Sequence, residues 1–135
     1  YRQIDINKIM ENLVFSRLKY LGYKVTVGQI GENEIDFVAE KNDKKAYFQV
    51  TYLLTSKKVI EREFGNLLKI KDNYPKYVIS TDDYAKGDFK GVKHLSLIDF
   101  LFSCSHVLTY YFIIHSRPNS QFRFIISNNN CFNLF

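Results

Sequence analysis

Two short segments of alternating polar and apolar residues carry the side chains best suited to chemistry. Glu34 and Asp36 are separated by one residue in the first segment, and Gln49 and Thr51 have the same spacing in the second. Because side chains alternate across a β-strand, each pair is expected to lie on one strand face. The carboxylate, amide and hydroxyl oxygens of these two pairs would then face each other, and neither pair contains a positively charged side chain. Such a row is by itself typical of a solvated strand face.

The residues around these pairs predict an antiparallel hairpin. Ile35 and Phe37 are expected together on the apolar face of the first strand, and Phe48 and Val50 on that of the second. Residues 42–45, with the sequence Asn-Asp-Lys-Lys, form a turn-prone run between the two segments. A hairpin closed by this turn brings the two polar pairs onto neighbouring strands.

Hydrophobic periodicity and turn signals predict the remaining elements. Helices are predicted at residues 7–21, 59–70 and 98–102, strands at 23–30, 34–40, 45–53, 76–80 and 92–97, and a loop at 81–91. The strand after the second helix must return by a crossover connection, and strands joined in this way pair in parallel. We therefore expect an α/β sandwich with a central mixed sheet flanked by helices.

The two longer helices are each expected to bury one apolar face. In the first helix, residues at helical spacing mark that face: Ile9, Leu13, Phe15, Leu18 and Leu21. Gly22 follows as a stop signal. In the second helix the buried face is marked by Ile60, Phe64, Leu67 and Leu68, and the charged residues are expected on the solvent side.

Composition changes abruptly after Phe102. Residues 1–102 contain all 14 acidic residues, whereas residues 103–135 contain only Arg117 and Arg123 as charged side chains. We interpret residues 1–102 as one domain and residues 103–135 as an uncharged tail rich in aromatic residues and Asn. The tail is either an added hairpin, formed by residues 107–114 and 122–126, or a non-native end. Its apolar, β-branched character favours pairing with a second copy of the chain.

Length and composition are those of a single soluble globular domain. The chain has 135 residues, of which 46% are hydrophobic and 24% charged, and its net charge of +5 is compatible with nucleic acid or an acidic partner. Two cysteines, Cys104 and Cys131, favour reduced thiols in the cytoplasm. The apolar region 95–114 contains Asp99 and has runs too short for a membrane span. Because the first residue is Tyr1, we expect a fragment of a longer protein.

From residue 11 to residue 101 the chain resembles the domain of unknown function at the C-terminus of prokaryotic AAA+ ATPases. In those proteins a P-loop ATPase precedes a domain with the PD-(D/E)XK nuclease core. The order and spacing of six segments carry the resemblance: residues 11–15 (Glu-Asn-Leu-Val-Phe), 18–23, 34–38 (Glu-Ile-Asp-Phe-Val), 48–50 (Phe-Gln-Val), 76–80 and 94–101. The resemblance implies a restriction-endonuclease-like sandwich.

The resemblance also implies a site that has lost part of its chemistry. Glu11, Asp36, Gln49 and Thr51 occupy the positions at which active relatives have Glu, Asp, Glu and Lys. In active relatives the carboxylates hold a cation such as Mg²⁺, which helps to generate the attacking water, and the Lys supports a negative centre. Asp36 and Glu11 would remain as metal ligands. Gln49 lacks the negative charge, and Thr51 supplies no cation.

We therefore expect a catalytically inactive nuclease-fold domain of an AAA+ ATPase that acts as an interaction or substrate-recognition module. It needs no cofactor, and its partner is the ATPase domain of the parent protein, because no Gly-x-x-x-x-Gly-Lys-Ser/Thr motif occurs in this chain. One alternative is a Mg²⁺-dependent DNA nuclease in which Glu34 or Glu11 compensates for Gln49. Another is a non-catalytic nucleic-acid-binding domain whose phosphate contacts come from lysines: Lys44, Lys45, Lys57 and Lys58.

Overall fold

The structure is a computed structural model that describes residues 2–82 and 88–102. These ranges contain three helices, α1 (Gln3–Tyr20), α2 (Lys57–Leu68) and α3 (Leu97–Phe102). They also contain six strands: β1 (Lys24–Ile30), β2 (Asn33–Lys41), β3 (Lys44–Val50), β4 (Lys76–Ser80), β5 (Asp88–Phe89) and β6 (Val92–Ser96). None of the helices in these ranges is long and apolar enough to cross a membrane.

The strands form one mixed sheet in the order β1-β2-β3-β4-β6-β5. The first three strands are an antiparallel meander, β4 pairs in parallel with both β3 and β6, and β5 pairs antiparallel with β6. The crossover from β3 to β4 runs through α2, as the parallel pairing requires. The predicted fold class, an α/β sandwich with a mixed sheet flanked by helices, is confirmed. Its order of elements is the one that the restriction-endonuclease-like resemblance implied.

Each face of the sheet is covered by its own apolar core. On one face, α1 and α3 pack against the sheet through residues that include Val14, Leu18, Phe48, Ile79 and Phe100. On the other face, α2 packs through Phe64 and Leu67 against Ile35, Val78 and Val92. Burial of a large apolar side chain contributes about 1.5–3 kcal/mol, so the two cores together provide most of the force that closes the sandwich.

The predicted buried face of the first helix is partly wrong. Met10, Val14 and Leu18 form the buried stripe of α1, whereas Ile9, Leu13 and Phe15 are exposed at 52%, 42% and 39%. The reason is that apolar residues occur on several sides of this helix, so helical spacing selects more than one stripe. The helix ends at Tyr20, one residue before the predicted end, and the predicted stop signal is confirmed, since Gly22 follows the capping residue Leu21 with a φ of 83°.

The turn of the hairpin is shorter than predicted. Asn42 and Asp43 have φ angles of 52° and 61°, which is the geometry of a two-residue hairpin turn. The next two residues of the predicted turn, Lys44 and Lys45, therefore belong to β3. That strand ends at Val50, so residues 51–53 lie beyond it, contrary to the prediction.

The predicted start of the first helix at residue 7 is wrong, since α1 already begins at Gln3; its first turn is largely exposed and so leaves no apolar stripe. The other boundaries agree with the prediction to within about two residues, and residues 76–80 form β4 as predicted. The two-residue strand β5 lies inside the region predicted to be a loop. Its extended backbone is too short to leave a periodic signal in the sequence. The predicted tail hairpin, residues 107–114 and 122–126, lies outside the described residues.

Candidate functional site

Asp36 lies at a β-bulge in the middle of the sheet. In the pairing of β1 with β2, Thr26 is opposite Val38, but Gly28 is opposite Ile35. Two residues therefore separate the paired positions on β2, where only one separates them on β1. An extra residue of this kind bends a strand and changes the direction in which its side chains point.

The bulge overturns the predicted alternation of β2. Ile35 packs in the core beneath α2, whereas Phe37 packs against the core beneath α1. The two residues were expected on the same strand face, and they lie on opposite faces because the extra residue resets the period of two. The alternation predicted for β3 is confirmed, since Phe48 and Val50 both lie in the α1 core.

The Asp36 carboxylate replaces a main-chain partner of β3. The regular pairing between β2 and β3 ends at Phe37 and Phe48. Continued pairing would have placed Val50 opposite Ile35. Instead, the amide of Val50 donates a hydrogen bond to Asp36 Oδ2 over 2.7 Å. Asp36 is therefore fixed where the two strands diverge, against the backbone of Val50 in β3.

Asp36 is surrounded by other acidic groups. Burial raises the pKa of Asp36, and the hydrogen bond from the Val50 amide opposes this shift. The negative charges of Glu11, Glu63 and Glu34 add to the rise, and the net pKa is about 7. An aspartate in this position is close to half-protonated at neutral pH, because its charged form is both desolvated and repelled.

Glu11 reaches this centre from α1. Burial raises its pKa, Glu34 raises it further, and Lys8 lowers it. The mutual influence of Glu11, Glu34 and Asp36 shows that helix and strand place these three carboxylates within electrostatic range of one another. Of the residues that the resemblance and the strand spacing grouped, these three are near one another. The site that the resemblance implies for Glu11, Asp36, Gln49 and Thr51 stays a prediction.

Glu63 is the site residue that sequence reasoning missed. It lies in α2 with 5% of its surface exposed, on the side of the helix that faces the sheet. The Arg62 guanidinium donates to Glu63 Oε1 through Nη2 at 2.6 Å and through Nε at 2.9 Å. Helical spacing with Ile60 and Leu67 would have identified it, because residues three and four apart share a helix face.

Gln49 and Thr51 are buried, with exposures of 8% and 3%. Gln49 Oε1 has no hydrogen-bond partner among the residues that the structure describes. The Thr51 amide donates to the Ile79 carbonyl over 2.9 Å and so extends the contact between β3 and β4. Within residues 2–82 and 88–102, no group of three or more His, Cys, Asp or Glu side chains has an arrangement that could hold a metal ion.

A second polar cluster fixes the segment that follows β3. Ser80 Oγ lies 2.8 Å from His94 Nε2 and donates to Asp82 Oδ2 over 3.1 Å. The same carboxylate oxygen accepts the Leu54 amide over 2.6 Å. Asn7 in α1 adds a further tie, since its Oδ1 accepts the Tyr52 amide over 2.8 Å. These contacts hold the backbone at Tyr52 and Leu54, in the segment that follows β3.

The lysines predicted to contact nucleic acid lie at two ends of the sheet. Lys44 and Lys45 begin β3, and Lys45 forms an ion pair with Glu40 at 3.2 Å. Lys57 and Lys58 begin α2, beyond the other end of β3, and Lys57 lies 3.8 Å from Glu61. The four side chains therefore do not form one continuous patch.

The chain matches no family model. A curated relative from Haemophilus influenzae, described as an uncharacterized protein, is 38% identical over 92 residues, or 68% of this chain. The chain spans only 22% of the length of that relative. Among solved structures, that of an XisH family protein from Nostoc punctiforme has a TM-score of 0.43 and 17% sequence identity. The superposition covers 65% of this chain and 89% of that chain.

Proposed function

We propose that this chain is a nuclease-fold domain that recognises a partner without cleaving nucleic acid, and that it serves an AAA+ ATPase. The observation that carries the proposal is the charge around Asp36. The side-chain charges that shift its pKa are those of Glu11, Glu63 and Glu34, all of them negative. At the two positions where the resemblance implies Glu and Lys, the chain has Gln49 and Thr51.

Phosphodiester cleavage requires positive charge where negative charge develops in the transition state. Removal of one such stabilising group typically lowers kcat by about 10²–10³-fold. Thr51 is buried and carries no charge, so it provides no stabilisation of this kind. Gln49 adds a carbonyl oxygen but no negative charge to the ligands of a cation. The missing negative charge at Gln49 and the missing positive charge at Thr51 both favour a domain that has the nuclease fold but does not cleave phosphodiesters.

The role beside an ATPase rests on the resemblance of residues 11–101. The relative from Haemophilus influenzae is a longer protein, of which the matched region is 22%. A domain of this kind would hold a target near the ATPase. A calorimetric titration of this chain with the isolated ATPase domain of its parent protein tests the contact. The absence of a heat of binding would contradict the proposal.

A plasmid-nicking assay with Mg²⁺ or Mn²⁺ tests the lack of cleavage. We expect no nicking above the level of an Asp36→Asn variant, which keeps an oxygen to accept the Val50 amide. Metal-dependent nicking by the wild-type chain that Asp36→Asn abolishes would overturn the proposal.

Glu63 favours one second candidate, a Mg²⁺-dependent nuclease. Its buried carboxylate acts on the pKa of Asp36 and could replace the charge that Gln49 lacks. The neighbouring Arg62 would then be the source of positive charge. If this candidate is right, Glu63→Gln abolishes nicking as completely as Asp36→Asn does. Glu32→Gln, an exposed change of the same charge, is the matched control.

A further inference from the structure

We propose that a cleft at the far end of the sheet from Asp36 binds a ligand that carries phosphate groups. This basic cleft has a volume of about 300 Å³ and surrounds the hairpin turn at Asn42 and Asp43. Four lysines, one glutamate and one tyrosine form its walls: Lys24, Lys41, Lys44, Lys45, Glu40 and Tyr74. Lys41 lies five positions after Asp36 along β2, or roughly 17 Å at the usual rise of a strand. The cleft is therefore separate from the acidic centre.

Positive charge exceeds negative charge in the basic cleft. Lys24, Glu40 and Lys45 lie side by side on three adjacent strands, as the pairing of β1 with β2 and of β2 with β3 shows. Glu40 forms an ion pair with Lys45 at 3.2 Å. One carboxylate thus stands between two lysines and can balance only one of them. Asp43 is the other acid in the lining.

The last strand pair before the turn places two like charges together. Lys41 is directly opposite Lys44. Cross-strand neighbours lie on the same face of a strand pair, so both lysines contribute positive charge at this end of the hairpin. Lys41 is also held in place, since its Nζ donates to the Leu21 carbonyl over 2.7 Å and lies 5.3 Å from the centre of the Tyr23 ring.

Tyr74 provides an aromatic wall, and hydrogen bonds hold its backbone. Its side chain is 42% exposed, and the Lys45 ammonium lies 5.9 Å from the ring centre. Its amide donates to Asp72 Oδ1 over 3.2 Å, and its carbonyl accepts Lys76 Nζ over 3.0 Å. Lys76 is itself buried, with 9% of its surface exposed. The backbone at Tyr74 therefore needs little further ordering when a ligand packs against its side chain.

This combination suits one class of ligand, a phosphate group attached to a planar base. Ammonium groups bind phosphate oxygens by charge-assisted hydrogen bonds, and an exposed tyrosine ring stacks against a base. Two sources share this chemistry, a free nucleotide and a strand of nucleic acid. Binding at this end of the sheet requires neither a metal ion nor Asp36.

The test is a titration of the full chain in which NMR spectra monitor the backbone amide signals. The probes are inorganic pyrophosphate, AMP and a single-stranded oligonucleotide of six thymidines. We expect all three to shift the amides of Asn42, Asp43 and Lys44, and to leave those of Asp36 and Val50 in place. Absence of shifts at the turn with millimolar pyrophosphate would overturn the proposal.

Variants of equal charge separate a built site from general attraction. Lys24→Gln with Lys44→Gln removes two exposed lysines of the cleft, and we expect a rise of about tenfold in the dissociation constant of pyrophosphate. Lys19→Gln with Lys93→Gln removes two exposed lysines elsewhere and should change it less than about twofold. Equal weakening by both double variants would overturn the proposal.

A substitution of Tyr74 and a variation of the salt concentration distinguish a free nucleotide from a strand of nucleic acid as the ligand. Tyr74→Ala should weaken AMP and leave pyrophosphate unchanged, which supports the combined phosphate and base site. If the oligonucleotide binds more tightly than AMP with a steeper dependence on salt, the source is a nucleic acid strand. If AMP binds at least as tightly as the oligonucleotide, the source is a free nucleotide. A loss of pyrophosphate binding in Tyr74→Ala would contradict the assigned role of the ring.

Discussion

The Asp36 carboxylate has two roles that oppose each other energetically. It accepts the Val50 amide and so satisfies a donor left by the divergence of β2 and β3. It is also desolvated and repelled by Glu11, Glu63 and Glu34, which raises its pKa to about 7. A protonated Asp36 keeps one oxygen that can accept the amide while it escapes the repulsion. The folded domain therefore takes up a proton at this residue more readily than the unfolded chain does.

Asp36→Asn should make the domain more stable at alkaline pH. Because the folded-state pKa, about 7, lies above the usual value of 3.8, wild-type stability falls as pH rises between these values. The neutral amide removes this loss and keeps an acceptor for the Val50 amide. We expect a gain of about 1–3 kcal/mol in the free energy of unfolding at pH 8, with allowance for partial screening, and almost none at pH 4.

Urea unfolding of both proteins at the two pH values measures this difference. The comparison of the two proteins removes the contribution of the acidic groups that do not interact with Asp36. A variant that is less stable than the wild type at pH 8 would show that the charged carboxylate is the better partner of the Val50 amide.

Gln49→Glu should create a response to Mg²⁺ that the wild type lacks. The new carboxylate would lie beside Asp36 and add the charge that the resemblance implies at this position. Mg²⁺ at millimolar concentration should raise the Tm of the variant by about 2 °C or more, because a ligand that binds only the folded state stabilises it. Gln29→Glu, an exposed change of the same charge in β1, is the control. An equal rise of Tm in both variants would contradict a site at Asp36.

At the scale of elements, the bulge in β2 is the feature that orients Asp36. Opposite the bulge, β1 has Gly28, where a Cβ atom would lie 2.7 Å from Val38 Cγ2 and 3.1 Å from Ile35 Cβ. Only a residue without a side chain allows β2 to approach β1 this closely. Gly28 is therefore part of the geometry of the candidate site, although it contributes no functional group.

Gly28→Ala should destabilise the domain by about 1–3 kcal/mol, because the methyl group overpacks the strand pair. Gly65→Ala is the matched control: nothing lies within 4 Å of its Cβ position, and Gly65 is inside α2. Alanine is a better helix former than glycine, so the control should gain about 0.5–1 kcal/mol. Thermal unfolding of both variants decides the matter, and a neutral Gly28→Ala would mean that the bulge can relax.

The sequence was sufficient for the order and type of the main elements, and insufficient for the bulge. Strand β4 was correctly bounded because its apolar run is framed by Pro75 and a polar loop. The prediction that Ile35 and Phe37 lie on the same strand face is wrong because a period of two assumes a strand without a bulge. A glycine inside a strand is a signal for a bulge, so Gly28 offered a means of finding this one.

The same limit applied to the candidate site. Glu11, Asp36 and Gln49 could be grouped only through a resemblance that related distant positions. Glu63 was missed because a charged residue in a helix was assumed to face solvent. Its burial depends on the crossover that lays α2 across the sheet, which is tertiary information that no local pattern contains.

At the scale of the whole molecule, the fully buried residues of both cores lie between Met10 and Phe100 in the part of the chain that the structure describes. We therefore expect a chain truncated after Phe102 to unfold cooperatively and to self-associate less than the full chain. Urea unfolding followed by circular dichroism, with sedimentation velocity for the mass, measures both properties. A truncated chain that fails to fold would show instead that residues 107–114 and 122–126 belong to the core.

The central position of β4 has a consequence for the exchange of its amide hydrogens with deuterium. All five of its residues are buried, and the strand pairs with β3 on one side and β6 on the other. Partial opening at an edge strand such as β1 leaves these amides protected. They should exchange only when the whole domain unfolds, so their slowest rates give its free energy of unfolding without denaturant. Exchange in β4 as fast as in β1 would show that the sheet opens through its centre.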